Sequence, residues 1–190
     1  MDKEGSAAYP KGVPRFDSSS AECLVLTYKE GLLSAVAHDL QIRVGRFDIE
    51  IDDARSSVSA RFDAASLEVV GAVSGGVVRE GALSEADKRK IEHTIADEVL
   101  HVRKHPEIRL SSNDVAPEGD GFRIRGDLAL HGHTKAIAFV ARREGDRFVA
   151  EVRLHQPDFG IKPYSALLGT LKIKPDILVR CAIPARLLDG

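Results

Sequence analysis

GFRIRGDLALHGHTKAIAFV, residues Gly121–Val140, reads as two alternating strands joined by a tight turn. Phe122, Ile124, Leu128 and Leu130 share one parity, while Arg123, Arg125, Asp127 and His131 take the other. Successive strand side chains point to opposite faces, so this spacing gives one apolar face and one wet face. Gly132 supplies the turn, and the pattern resumes over Ala136–Val140. A chain made of many such strands must bury its apolar face. Closing the sheet into a barrel does so and removes the sheet edges.

The same grammar runs outward in both directions. Glu22–Tyr28 puts Leu24, Leu26 and Tyr28 on one parity. Leu40–Val44 and Phe47–Ile51 are strands broken at Gly45, and Ser57–Asp63 aligns Val58, Ala60 and Phe62. Leu67–Val70, Glu107–Ser112, Phe148–His155 and Ile173–Pro184 complete the set, the last with Ile177, Val179 and Cys181 in phase. Between them, Asn113–Asp120 reads as a turn and Pro157–Thr170 as irregular chain. Gly31–His38 suggests one or two helical turns across a barrel end, and Gly71–Gly81, with four glycines and no period, a mobile loop. Ser84-Glu85-Ala86-Asp87 has the form of a capping box. Leu83, Ile91, Ile95 and Val99 follow it as an apolar stripe, predicting one amphipathic helix from about Glu85 to Val99, stopped by Pro106. The count is eight to ten strands and one helix, in a domain spanning 21–190 after a flexible arm at 1–20.

Composition bounds the function. The chain has 190 residues, 43% hydrophobic and 29% charged, with a net charge of −2. That is ordinary for one soluble domain with a sizeable core, and it offers no field for nucleic acid. No apolar run is long enough for a spanning helix, so stable membrane insertion is not expected. The first residues, MDKEGSAAYPKGVPRF, lack the apolar region of a secretory leader, and the initial Met favours the cytoplasm. Cys23 and Cys181 lie in strand-like segments near opposite ends of the chain. Pairing of the first and last strands would make them neighbours, as buried thiols or as a disulfide.

Catalytic motifs are absent. His131-Gly132-His133 has no partner at ligand spacing and reads as a polar hairpin turn. His101 and His105 share a helix face at its end, separated by VRK rather than by a zinc-protease pattern. His38 and Asp39 are adjacent, and adjacent strand residues point apart. No nucleophile elbow or phosphate loop occurs, and Asp158-Phe159-Gly160 lacks every other kinase element. No metal site and no catalytic residue are expected. Aromatics are 5% with no Trp, and Val, Ala, Ile and Leu dominate the apolar faces. Such a wall leaves room for an open interior.

Five segments in order carry a resemblance: AHDLQIRVGRFDIEI (Ala37–Ile51), SVSARFDAASLEV (Ser57–Val69), VLHVRKHPEIRLSS (Val99–Ser112), GDLALHGHTKAI (Gly126–Ile137) and DFGIKPYSALLGTLKIKPDILVRCAIPA (Asp158–Ala185). Together they resemble the YceI-like family, lipocalin-like barrels that bind polyisoprenoid lipids. The resemblance implies an all-β fold, an extended antiparallel eight-stranded lipocalin-like barrel with the helix at its side or end. It implies an internal channel for an isoprenoid chain or an isoprenoid quinone, no other cofactor, and many periplasmic members. Gly71, Gly75, Gly76, Gly81 and the charged run Glu85–Lys90 depart from the family pattern.

The reading is a non-catalytic protein that binds and carries or sequesters a long apolar lipid. Candidate wall residues are Leu24, Leu26, Val58, Phe62, Phe122 and Ile124, and, further along, Leu128, Phe148, Val152, Leu154, Ile177 and Val179. Phe159 and Tyr164 are candidates for the mouth, and His38 or Lys135 for a polar head group. The partner is an apolar small molecule or lipid, with homodimerisation left open. Two alternatives remain at this point. One is an enzyme acting on an apolar substrate through His38 or through His131 and His133; the other is a solid barrel acting through its surface.

Overall fold

Alternation becomes a twelve-stranded antiparallel sheet, with a separate sheet of three short strands (Lys29–Glu30, Ser165–Ala166 and Leu171–Ile173), in the computed structural model, which describes residues 13–30, 38–52, 54–166, 169 and 171–188. Its strands are β1 (Arg15–Asp17), β2 (Glu22–Thr27), β3 (Lys29–Glu30), β4 (Asp39–Val44), β5 (Phe47–Ile51), β6 (Val58–Asp63), β7 (Leu67–Ser74), β8 (Val77–Arg79), β9 (Glu107–Glu118), β10 (Gly121–Leu130), β11 (His133–Glu144), β12 (Arg147–His155), β13 (Ser165–Ala166), β14 (Leu171–Ile173) and β15 (Asp176–Pro184). Helix α1 (Glu85–Thr94) continues as a wider π-type turn over Ile95–Val99. The predicted helix therefore has its predicted span. Its capping box is complete: the Ser84 hydroxyl accepts from the Asp87 N–H, and the Asp87 carboxylate accepts from the Ser84 N–H.

Two bent strands close the ring. β4 and β5 are one strand interrupted at Gly45 and Arg46, and β6 and β7 are one strand interrupted by the turn Ala64–Ser66. β4 pairs with β7, and β5 with β6. The first bent strand borders β2, and the second borders β9. From β9 the ladder runs through β10, β11, β12 and β15 back to β2. The result is eight staves, each beside its neighbour in sequence, as in an up-and-down barrel. Gly45 makes the bend feasible. Its N–H donates to the Ser66 carbonyl at 2.8 Å, and a Cβ there would stand 2.9 Å from that same oxygen.

Several local readings change. Arg15–Asp17, placed in the arm by sequence, pairs with β5 and sends a fully buried Phe16 under the barrel. The predicted loop at Gly71–Gly81 is instead a hairpin: β7 runs on to Ser74 and turns through Gly75 and Gly76, with φ of 61° and 78°, into β8. Asn113–Asp120 is mostly strand, and Pro117 pairs opposite Phe122. Proline is accommodated there because β9 has left β6 by that point, their pairing ending at Val58–Ser112. The helical turns predicted within Gly31–His38, and residues 1–12 of the arm, lie outside the described residues.

Candidate functional site

Inward parity from the eight staves encloses a cavity of about 770 Å³, well within the size of small-molecule sites. The solid-barrel alternative therefore fails. At the base, Phe16, Phe148, Ala185 and Leu188 form a buried cluster, and Phe122 meets Phe148 edge-on with ring centroids 5.5 Å apart. At the other end α1 lies across the opening, and Leu83, Ile91 and Ile95 pack on Leu40, Ile42 and Val69. The buried cluster of Leu128, Leu130, Leu154, Phe159 and Ile161 forms the upper wall.

Most of the predicted wall is where sequence placed it. Val58, Phe62, Ile124, Leu128 and Phe148 face the cavity, as do Val152, Leu154, Ile177 and Val179. His38, Phe159 and Tyr164 also border it. Four residues do not. Leu24 and Leu26 are on the outer face, Leu24 directly opposite Arg43 and Arg180, while Cys23, Val25 and Thr27 face inward. A shift of one residue exchanges the two faces of a strand, and both parities of β2 are apolar. Phe122 has the inward parity but is spent on the base, against Phe148. Lys135 is exposed and does not border the cavity.

Sequence reasoning missed the wall supplied by Leu40, Ile42, Ile49, Ile137 and Phe139, and the roof supplied by Ile91 and Ile95. The alternation in DLQIRV and FDIEI carried the signal for the first three. Charged groups at the cavity are few. Asp63, Asp87 and Lys90 reach it, and Lys90 is its one lysine or arginine among the described residues. Burial pushes the Asp63 carboxyl up, but hydrogen bonds from Arg46 and the Ala65 N–H outweigh it and hold the group below its ordinary value. The Ser84 hydroxyl and N–H lower Asp87 in the same way. Both carboxylates are thus tied into the fold, and the cation at the rim is Lys90.

The wall has a break. β12 is paired with β15 along its full length, from Arg147–Pro184 to His155–Asp176. With β11 it pairs only from Ala141–Ala150 to Glu144–Arg147. Above that, residues 134–140 and 151–155 have no ladder between them, although β11 remains paired to β10. Half-buried Ile137, Phe139 and Val152 border this split.

Its top is bounded by histidines. His131 and Gly132, with φ of 52° and 77°, form the two-residue turn between β10 and β11. His131 Nδ1 stands 3.2 Å from the Phe159 carbonyl, a hydrogen bond that a proton on Nδ1 donates. The His105 and His101 rings lie 4.4 and 5.6 Å from that of His131. A Cβ at Gly160 would stand 2.5 Å from His133. Burial lowers the pKa of His131 against the opposing Phe159 carbonyl, and His105, His101 and His133 lower it further. His105 is lowered by burial and by Lys104, His101 and His133. No three His, Cys, Asp or Glu side chains among the described residues are grouped to hold a metal ion. No described helix is long and apolar enough to cross a membrane.

The model of the YceI-like domain matches residues 17–185. A UPF0312 protein of Pseudomonas putida is 33% identical over 101 residues, 47% of this chain and 50% of that protein. Protein YceI of Escherichia coli is 33% identical over 89 residues, 42% of this chain and 44% of that protein. The chain spans about half the length of these curated relatives. Among solved structures, BcnA of Burkholderia cenocepacia superposes with a TM-score of 0.60 at 11% identity, covering 86% of this chain and 94% of that one. A polyisoprenoid-binding domain from Saccharophagus degradans, implicated in plant cell wall breakdown, superposes with a TM-score of 0.56 at 11% identity, covering 90% and 96%. At such identities the likeness is one of fold.

Proposed function

The chain belongs to the YceI-like family, and from that premise we propose that it binds one long apolar lipid in the barrel, without catalysis, and carries or sequesters it. The observation that carries this reading is the hollow interior of about 770 Å³, walled mainly by apolar side chains. The polyisoprenoid-binding domain with the same fold supports a prenyl chain as the ligand class. An isoprenoid quinone is one member of that class. Each buried methylene contributes about 0.8 kcal/mol, offset in part by the ordering of a flexible tail. The tail lies toward the base at Phe148, and a polar head stays at the rim near Lys90, His38 and Tyr164. The split between β11 and β12 is the side entrance.

Organic extraction of the purified protein, with mass spectrometry of the extract, tests the reading. The expected result is a co-purified prenyl lipid, or stoichiometric uptake of a fluorescent prenyl probe. Val179→Phe, which intrudes on the cavity from β15, weakens uptake at least about tenfold, roughly 1.4 kcal/mol, and leaves the circular dichroism unchanged. A wild-type barrel that yields no lipid and takes up no long-chain probe overturns it.

A further inference from the structure

The chain has two cysteines, and the fold sets them face to face. Cys23 on β2 and Cys181 on β15 are direct partners across the antiparallel ladder. Their sulfurs are 2.8 Å apart although 158 positions separate them in sequence. Both have the inward parity and both border the cavity. β2 and β15 are the first and last staves, so the pair sits on the seam where the barrel closes on itself. Directly opposed residues of an antiparallel pair have Cα atoms about 4.5–5.5 Å apart, inside the span of about 4.4–6.8 Å that a disulfide bridges. The function proposed above makes no use of these thiols.

We propose that Cys23 and Cys181 are a redox latch: a two-electron oxidation joins them in one intramolecular disulfide that fastens the first stave to the last from inside the cavity. The oxidant is a neutral hydroperoxide small or apolar enough to enter. One thiol sulfur attacks the O–O bond, which breaks to give a sulfenic acid and an alcohol (water, for hydrogen peroxide). The second thiol then attacks that sulfur, the S–S bond forms and water leaves. Two thiol hydrogens and two electrons pass to the peroxide oxygens, so the balance closes. The thiol–thiol hydrogen bond with Cys181, which engages the Cys23 proton, and then burial push the Cys23 thiol up, so thiolate is scarce and the folded pair reacts slowly. The cavity wall also shields the sulfurs from bulky, charged disulfides such as oxidised glutathione.

The latch does not depend on which ligand fills the barrel, and its test needs none. Reduced full-length protein is treated with cumene hydroperoxide, with hydrogen peroxide or with oxidised glutathione, then acid-quenched, denatured and weighed intact. Either peroxide is expected to remove two hydrogens from the monomer, reversibly with reductant. Glutathione disulfide on the folded protein leaves two titratable thiols. The oxidised monomer melts roughly 5–10 °C higher, because closing so long a loop constrains the unfolded chain. Cys23→Ser and Cys181→Ser each abolish the loss of hydrogens. Should either variant fail to fold, the wild-type masses alone decide. Retention of both thiols by peroxide-treated folded protein, or addition of oxygen without S–S formation, overturns the proposal.

Discussion

The two flanks of β12 are paired to very different extents. Toward β15 the ladder runs the whole strand and continues into β2, where Cys23 meets Cys181. Toward β11 it stops after four residue pairs, at Ala141–Ala150, and above them the Phe159 carbonyl of the turn Gln156–Phe159 accepts a hydrogen bond from His131. One strand therefore has a side paired along its whole length and a side paired only toward the base. The proposed carrier role calls for both: a wall that keeps the cavity dry, and a place where hydrogen bonds need not break for a guest to pass.

Truncating the same side chain in the two settings should give the largest contrast. Phe148 is buried in the paired lower wall, edge-on to Phe122 and under Arg143. Phe148→Ala should cost about 3–5 kcal/mol in urea unfolding. Phe139 is half-buried at the split, and Phe139→Ala should cost about 1.5 kcal/mol or less. Equal losses would mean that the upper wall is packed as firmly as the base, and the contrast between the flanks would go.

The strands with polar residues confined to one parity were the legible ones. In β10, β12 and β15 charged or polar residues interrupt the apolar parity, so periodicity alone aimed Ile124, Leu128, Val152 and Ile177 inward. In β2 it had nothing to choose between, because Cys23 and Val25 are as apolar as Leu24 and Leu26. Arg43 and Arg180 opposite Leu24 mark the wet face, and that information sits on other strands. Glycine at Gly75 and Gly76 was read as looseness, when its positive φ was making a tight hairpin. The split left no trace at all, since missing backbone hydrogen bonds are a matter of geometry rather than residue type. The histidine cluster likewise joins two segments, at His101 and His105 and at His131 and His133, that only the fold brings together.

Hydrogen exchange sharpens the comparison within a single strand. Successive N–H groups of a strand point to opposite neighbours. Along residues 151–155, those aimed at β15 should be protected and those aimed at β11 should exchange at least about a hundredfold faster. Residues 134–140 should alternate in the same way, protected toward β10. Uniform protection along 151–155 would show that β11 and β12 pair in solution and that the side entrance is shut.

The smallest expected effect concerns the top of the split. His131 and His105 both have pKa values lowered from their ordinary 6.5, burial being the first cause in each. A histidine lowered by folding binds its proton less readily in the native state. The native state is therefore unpenalised above the ordinary value and loses stability as pH falls below it, toward the folded value. As pH falls below the ordinary 6.5, protonation sets positive rings against one another and against Lys104. The turn at Phe159 should then loosen from the β10–β11 hairpin. Melting temperature should fall by a few degrees and release of a bound prenyl probe should quicken, while the seam amides of β2 and β15 keep their protection. His131→Asn keeps a residue suited to positive φ in the turn and removes the titrating ring at the centre of the cluster. In that variant the acid-induced quickening should shrink by at least about half. Equal quickening with and without the ring would place the opening step away from Phe159.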